Sequence, residues 1–187
     1  MTPEAISATA SSIAAFAAIV GVILAGIGLN TWRAQLTGTA EYDIARRLLL
    51  QVYRLKFSIE YVRQPGMTSR ELKVVKEGIP WEVLVYEKRM EKVRAAINEL
   101  ETLTLEAKVI LGKEKVEDLK NELRLHIWTL IHAIDAFSRA KMDKSFQEDY
   151  TNEHKQVLYA KEGDNYETKL DAIISKYEAY VEPHLKK

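Results

Sequence analysis

The chain has 187 residues, and its 27 lysine and arginine residues balance its 27 aspartate and glutamate residues to a formal net charge of zero. This balance argues against a nucleic-acid-binding surface, which is typically strongly basic. Cysteine is absent, which excludes disulfide bonds, thiolate metal sites and cysteine nucleophiles.

Residues 5–32 contain no formally charged side chain. A bilayer core of about 30 Å needs roughly 20 apolar residues in a helix, so this stretch is long enough to cross a membrane. A cleaved signal peptide and a buried core helix are the alternatives. However, no lysine or arginine precedes the stretch, which is longer than the apolar core of about 7–15 residues in a signal peptide. We therefore predict a membrane-spanning segment in 1–32 and a separate helical domain in 33–187.

The charges that flank this segment predict its orientation. Its N-terminal side has no lysine or arginine, whereas Arg33, Arg46 and Arg47 follow on its C-terminal side. The positive-inside rule therefore places 33–187 in the cytoplasm and the N-terminus outside, as in a single-pass inner-membrane protein. The same three arginines are candidates for contact with anionic lipid headgroups or another anion. A solvated face paired with nearby carboxylates is the alternative.

Small residues recur at a spacing of four within the predicted span, at Ala17, Gly21 and Ala25. This spacing places them on one helix face, where two helices can approach closely. We expect the span to self-associate there. The alternative is that alanine and glycine are simply common in membrane helices.

The apolar periodicity of the remaining sequence predicts four amphipathic helices, at about 39–63, 80–111, 113–140 and 166–180. The apolar stripe of the first is Ile44, Leu48, Val52, Leu55, Ile59 and Val62. We predict an all-α fold in which these helices form an elongated antiparallel four-helix bundle with packing like that of a coiled coil. The short junction 33–39 indicates that the membrane helix continues almost directly into the first of them. A further short helix is predicted after Ser69.

Two of the predicted helices are apolar over more of their surface than one buried stripe requires. Leu49, Tyr53, Phe57 and Tyr61 form a second row on the first helix. On the third helix, Leu125, Trp128 and His132 share a face that the main stripe leaves unused. Large apolar patches are rarely left in water, so both rows are candidate interfaces for a homo-oligomer or an unknown protein partner. The alternative is that the third helix is central and is covered by 141–163.

The sequence contains no motif that indicates catalysis. Glycine-rich phosphate loops, nucleophile elbows and zinc-protease motifs are absent. Glu122 and His126 are four residues apart, but no second such pair matches them as a di-metal site would require. For His132 and Asp135 a hydrogen bond within the helix is the simpler interpretation. We expect no metal, cofactor or catalytic residue.

Residues 32–65 resemble the membrane-proximal segment of uncharacterised bacterial proteins with one N-terminal span and a helical cytoplasmic domain. The shared elements are Trp32, Leu36, Gly38, Glu41-Tyr42, Ala45-Arg46-Arg47 and Val62-Arg63-Gln64-Pro65. The resemblance implies a bacterial inner-membrane setting and carries no activity.

These features favour a non-enzymatic membrane-anchored protein whose helical bundle acts as an interaction scaffold, adaptor or sensor at the cytoplasmic face. The first alternative is an oligomeric membrane effector that forms a pore or perturbs the bilayer when the bundle binds a ligand or partner. The second is an enzyme with a site in the bundle core. The expected partners are the lipid bilayer, further copies of the chain and an unknown protein, and not nucleic acid.

Overall fold

The computed structural model of the protein describes residues 3–66, 71, 77–161 and 163–186. Helix accounts for 87% of the structure, and the described part contains no β-strand, so the predicted all-α class is confirmed. The α-helices are α1 (Pro3–Arg63), α2 (Trp81–Ile110), α3 (Lys113–Met142), α4 (Asn152–Leu158) and α5 (Asn165–Leu185), and a short 3-10 helix covers Lys144–Phe146. The short helix predicted after Ser69 lies outside the described residues, apart from Glu71.

Helix α1 runs without a break through the predicted junction. Gly38 is the only glycine in 33–39, and this segment contains no proline. Thr31, Thr37 and Thr39 each donate a hydrogen bond to the carbonyl oxygen four residues earlier, which ties their hydroxyl groups to the helix. Among the described residues, one helical stretch, Ala18–Arg63, is long and apolar enough to cross a membrane, and its most apolar window is not buried.

The chain divides into two compact units, Met1–Glu41 and Tyr42–Lys187. The hydrophobic core lies in the second unit. All six residues of the predicted α1 stripe are buried there, which confirms the periodicity on which they were chosen. Helix α3 packs against α2, α4 and α5.

Polar contacts join the C-terminal part of α1 to its neighbours. The buried Gln51 side chain donates to the carbonyl oxygen of Ala96 in α2 at 3.0 Å. The Lys56 ammonium lies 2.7 Å from the Asp171 carboxylate in α5. Because a buried polar group is costly when it lacks a partner, the Gln51 contact favours one arrangement of α1 and α2 over a sliding apolar contact.

The ends of the helices follow local sequence signals. Gly112 separates α2 from α3 with a φ of 109°, a backbone conformation that favours glycine. The Asp164 carboxylate caps α5 by accepting from the Glu167 N–H at 2.8 Å. Helix α5 continues through Pro183 to Leu185, beyond its predicted end near 180. The stretch 141–163 folds back on the core through α4, in which Leu158 is fully buried.

Candidate functional site

The predicted interface row on α1 is partly used within the protein. Tyr53 donates to the Glu178 carboxylate of α5, and Tyr61 donates to Glu71 at 2.8 Å. Leu49 is half-buried against the core, whereas Phe57 is 65% exposed. Two of the four side chains therefore already have partners inside the protein, and Phe57 alone remains a large exposed apolar group of this row.

The predicted row on α3 remains open. Leu125 is 69% exposed and Trp128 is 44% exposed, and the Trp128 and His132 rings lie 5.3 Å apart between centroids. The described residues of 141–163 leave this row exposed. Helix α4 instead lies near His126 and Thr129, with which it lines a separate cavity.

An apolar groove runs between α2 and α3 beside Trp128. It consists of two adjoining cavities of about 520 Å³ and 200 Å³, and both are lined by Trp128 and Ile131. We call it the α2/α3 groove, lined by Val83, Met90 and Ile97 from α2 and by Trp128, Ile131 and Ile134 from α3. The α2 residues follow each other at intervals of seven, the spacing with which a helix presents one seam to a neighbouring helix. The groove therefore has a shape into which a further helix can pack.

Charged side chains of both signs border the α2/α3 groove. They are Glu87, Arg94 and Glu101 on α2 and Lys120, Arg124 and Asp135 on α3. Asp135 also pairs with Arg139 at 3.1 Å, and Lys120 pairs with Glu117 one turn earlier. A surface with an apolar centre and a mixed polar rim is typical of protein–protein interfaces.

A buried ion pair fastens the end of α1 to the start of α5. The Arg63 guanidinium lies 2.6 Å from the Asp164 carboxylate and 4.5 Å from the centre of the Tyr166 ring. Burial would raise the pKa of Asp164, but N–H groups of Lys161 and Glu167 and the Arg63 guanidinium outweigh it and hold this pKa below its usual value. Tyr166 in turn donates to the carbonyl oxygen of His126 at 3.3 Å, so the cluster connects α1, α3 and α5.

Glu122 and His126 do not act together. Glu122 pairs with Lys176 of α5, whereas the His126 ring stacks on Tyr166 with 3.9 Å between centroids. Burial lowers the pKa of His126, and the Lys169 and Arg63 charges lower it further, against a backbone contact with Tyr166 that raises it. Among the described residues, no three histidine, aspartate or glutamate side chains are grouped as metal ligands.

The candidate lipid-contacting arginines are all exposed. Arg47 is engaged within the protein, because its guanidinium lies 2.9 Å from the Glu106 carboxylate. Of the small residues on α1, Ala25 is exposed and the side chain of Ala17 lies outside the described residues. A Cβ added at Gly21 would meet no other atom within 4 Å.

Comparison of the chain with known protein families, with curated protein sequences and with solved structures found no match. The fold and the site define an all-helical protein that carries one apolar helix near its N-terminus and an open apolar groove on its second compact unit. The function must be argued from these two features.

Proposed function

We propose that the chain is a single-pass protein of the bacterial inner membrane whose cytoplasmic four-helix bundle self-associates through the α2/α3 groove and serves as an interaction scaffold. The single observation that carries this proposal is the groove itself, with the exposed Trp128 at its centre. Tryptophan in an apolar recess is a typical energetic centre of protein interfaces.

The apolar part of α1 supports the membrane anchor. Its large side chains remain exposed to their surroundings, for example Ile19 at 60% and Leu24 at 63%. Such surface is costly in water and favourable in lipid. Arginines on the C-terminal side of this stretch favour a cytoplasmic location for the second compact unit.

The occupant that we propose for the α2/α3 groove is the α3 face of a second copy. A two-fold axis midway between positions 129 and 130 would place two α3 helices antiparallel. Each Trp128 would then pack near Ile131 of the other copy, and each Arg124 would face Asp135 of the other copy. The same patch would thus serve both protomers with opposite charges in register, as a symmetric dimer interface requires.

The chain lacks cysteine, so a single introduced thiol reports on this arrangement without interference. With the axis at 129–130, position 132 of one copy faces position 127 of the other. The two introduced cysteines are therefore five residues apart along the helix axis, a separation of about 8 Å in this direction. We expect His132→Cys in membranes to crosslink efficiently with a short bismaleimide. Leu105→Cys, at a position of α2 that is also exposed but does not line the groove, is the matched control.

Trp128→Lys should abolish the crosslink of the His132→Cys protein, because an ammonium cannot be buried in an apolar interface without a partner. Detergent-solubilised protein should change from dimer to monomer by light scattering in the same variant. A monomeric wild-type protein, or equal crosslinking at 105 and 132, would contradict the proposal.

A further inference from the structure

A second cavity, separate from the α2/α3 groove, is walled by aromatic side chains. It has a volume of about 420 Å³. We call it the aromatic cavity, lined by Trp81 and Tyr86 of α2, Phe137 of α3, Tyr150, and Tyr159 at the end of α4. Small-molecule sites are typically apolar recesses of about 300–1,000 Å³ with a few polar groups, and this cavity lies within that range.

The aromatic rings divide into a packed floor and an open mouth. Tyr86 and Phe137 are only 2% and 5% exposed, and their rings meet edge to face with 5.2 Å between centroids. Tyr150 packs against Phe137 in the same way at 5.5 Å. Trp81 and Tyr159 remain 43% and 38% exposed. The floor is therefore fixed by its own packing, whereas the mouth presents two large aromatic side chains that a planar ligand can contact.

The charged groups of the aromatic cavity are Lys141, Lys155 and Glu82. The Lys141 ammonium lies 2.9 Å from the Glu82 carboxylate, and this contact holds the pKa of Glu82 below its usual value. Lys141 and Glu82 thus neutralise each other. Lys155, whose Nζ lies 5.5 Å from the centre of the Tyr150 ring, is left as the uncompensated charge of the lining.

The positions of Lys141 and Lys155 distinguish a cation-binding aromatic cage from an aromatic site that binds an anion. Aromatic cages that bind quaternary ammonium groups leave their ring faces open to the cation. Here Lys155 lies over Tyr150, and Lys141 lies 5.6 Å from the centre of the Phe137 ring, so two of the ring faces already carry ammonium groups. A third cation would be repelled, whereas an anion would be attracted.

We propose that the aromatic cavity binds a small planar aromatic compound that carries an anionic group. The ring packs against Trp81 and Tyr159 at the mouth, and the anionic group accepts a hydrogen bond from the Lys155 ammonium. Stacking on aromatic side chains tolerates many ring systems, and the ammonium supplies a charge-assisted hydrogen bond. Aromatic carboxylates and nucleoside monophosphates share this chemistry.

The tryptophans of the chain allow a direct test. The protein has three, at positions 32, 81 and 128, so full-length protein labelled with 5-fluorotryptophan in lipid nanodiscs should give three fluorine NMR signals. Single Trp→Phe variants assign them. The probes are 1-naphthoate and adenosine 5′-monophosphate, with 1-naphthalenemethanol and adenosine as their uncharged counterparts. Whichever charged probe binds identifies a carboxylate or a phosphate as the preferred anion.

We expect at least one charged probe to shift the Trp81 signal saturably and to leave the Trp32 and Trp128 signals in place. Its uncharged counterpart should bind about tenfold more weakly, since a hydrogen bond to a charged group is lost. Lys155→Gln should weaken binding of the charged probe by about the same factor and leave binding of the uncharged probe unchanged. Lys161→Gln is the matched control, because Lys161 is exposed nearby but does not line this cavity.

Three results would overturn the proposal. The first is the absence of a Trp81 shift with both charged probes at millimolar concentration. The second is equal binding of charged and uncharged probes. The third is an equal effect of Lys155→Gln and Lys161→Gln. Unchanged fluorine spectra of the two lysine variants without probe establish that both are folded.

Discussion

The Arg89 guanidinium and the Glu71 carboxylate face each other inside the protein, with Nε 2.7 Å from Oε1 and Nη2 3.1 Å from Oε2. The two residues are only 2% and 6% exposed. The same guanidinium donates to the carbonyl oxygens of Val62, Gln64 and Gly66 at 3.3, 2.8 and 2.6 Å. Carbonyl groups in the last turn of a helix lack partners within the helix, so Arg89 of α2 satisfies Val62 in the last turn of α1 and two carbonyl groups of the segment that follows it.

Arg89→Met should be strongly destabilising. It removes the Arg89 cation from the buried Glu71 carboxylate and the donor from the carbonyl groups of Val62, Gln64 and Gly66. Breaking a buried ion pair costs about 3–5 kcal/mol of the free energy of unfolding. Urea denaturation of the full-length protein in detergent, followed by circular dichroism, measures the loss. Lys88→Met, at an exposed position of α2, should change this free energy by less than about 0.5 kcal/mol. Equal stability of the two variants would contradict the role assigned to Arg89.

The stability of the protein should fall between pH 7.5 and pH 5.5 because of His126. Burial lowers the pKa of His126 in the folded protein below its ordinary value of 6.5. The unfolded chain therefore binds more protons as the pH falls through 6.5, and stability is lost until the pH reaches the lower folded pKa. His126→Phe keeps a ring against Tyr166 but cannot titrate, so its stability should change less over this interval.

Denaturation curves of the wild-type and His126→Phe proteins at the two pH values test this prediction. Asp164 also has a lowered pKa, but its ordinary value is 3.8, so its contribution is lost below this interval. If the free energy of unfolding of the two proteins changed equally between the two pH values, the predicted contribution of His126 would be contradicted.

The register proposed for the symmetric interface predicts the effect of exchanging charges. Arg124→Asp places two carboxylates opposite each other at two symmetric positions and should weaken dimerisation about tenfold, as measured by sedimentation. The double variant Arg124→Asp/Asp135→Arg restores opposite charges and should recover most of the affinity. A double variant as weak as the single one would exclude this register, even if the protein still dimerised.

Gly21→Leu tests association through the apolar part of α1. A side chain at this position meets nothing within 4 Å in one copy of the chain, so the variant should fold normally and weaken only contacts between copies. Gly26→Leu is a suitable control, because position 26 is equally open but five residues away and thus on another face of the helix. Crosslinking between copies in membranes should decrease for Gly21→Leu and stay unchanged for Gly26→Leu. Ion leakage on overexpression that Gly21→Leu removes would favour a pore-forming effector instead of a scaffold.

The apolar periodicity of the sequence was enough to identify the buried face of α1. Every residue from Ile44 to Val62 in the predicted stripe lies in the core, because steps of three and four leave only one helix face available. The open α3 row was found in the same way, since Leu125 and Trp128 fall outside the stripe of their helix. Side-chain spacing along one helix thus predicted both a buried and an exposed apolar surface.

Periodicity could not predict which polar groups meet across helices. Tyr53 and Tyr61 were assigned to an exposed interface row, whereas they donate to Glu178 and Glu71, which are 125 and 10 residues away in the sequence. The aromatic cavity was missed for the same reason. Its residues come from α2, α3, α4 and the connecting stretch, and they meet only because 141–163 folds back on the core. Aromatic residues in a long connection, such as Tyr150 and Tyr159, were the available signal.

The contacts of Arg63 also constrain when the native contacts of α1 can form during synthesis. This residue ends α1, yet its guanidinium binds Val157, Gln156 and Asp164, which follow it by 94, 93 and 101 residues. During synthesis, these contacts of the Arg63 side chain therefore form only after α4 and the start of α5 have left the ribosome. Until then the apolar stripe of α1 lacks its contacts with the later helices. A chain that ends before residue 164 would thus lack the carboxylate that neutralises the buried Arg63 guanidinium.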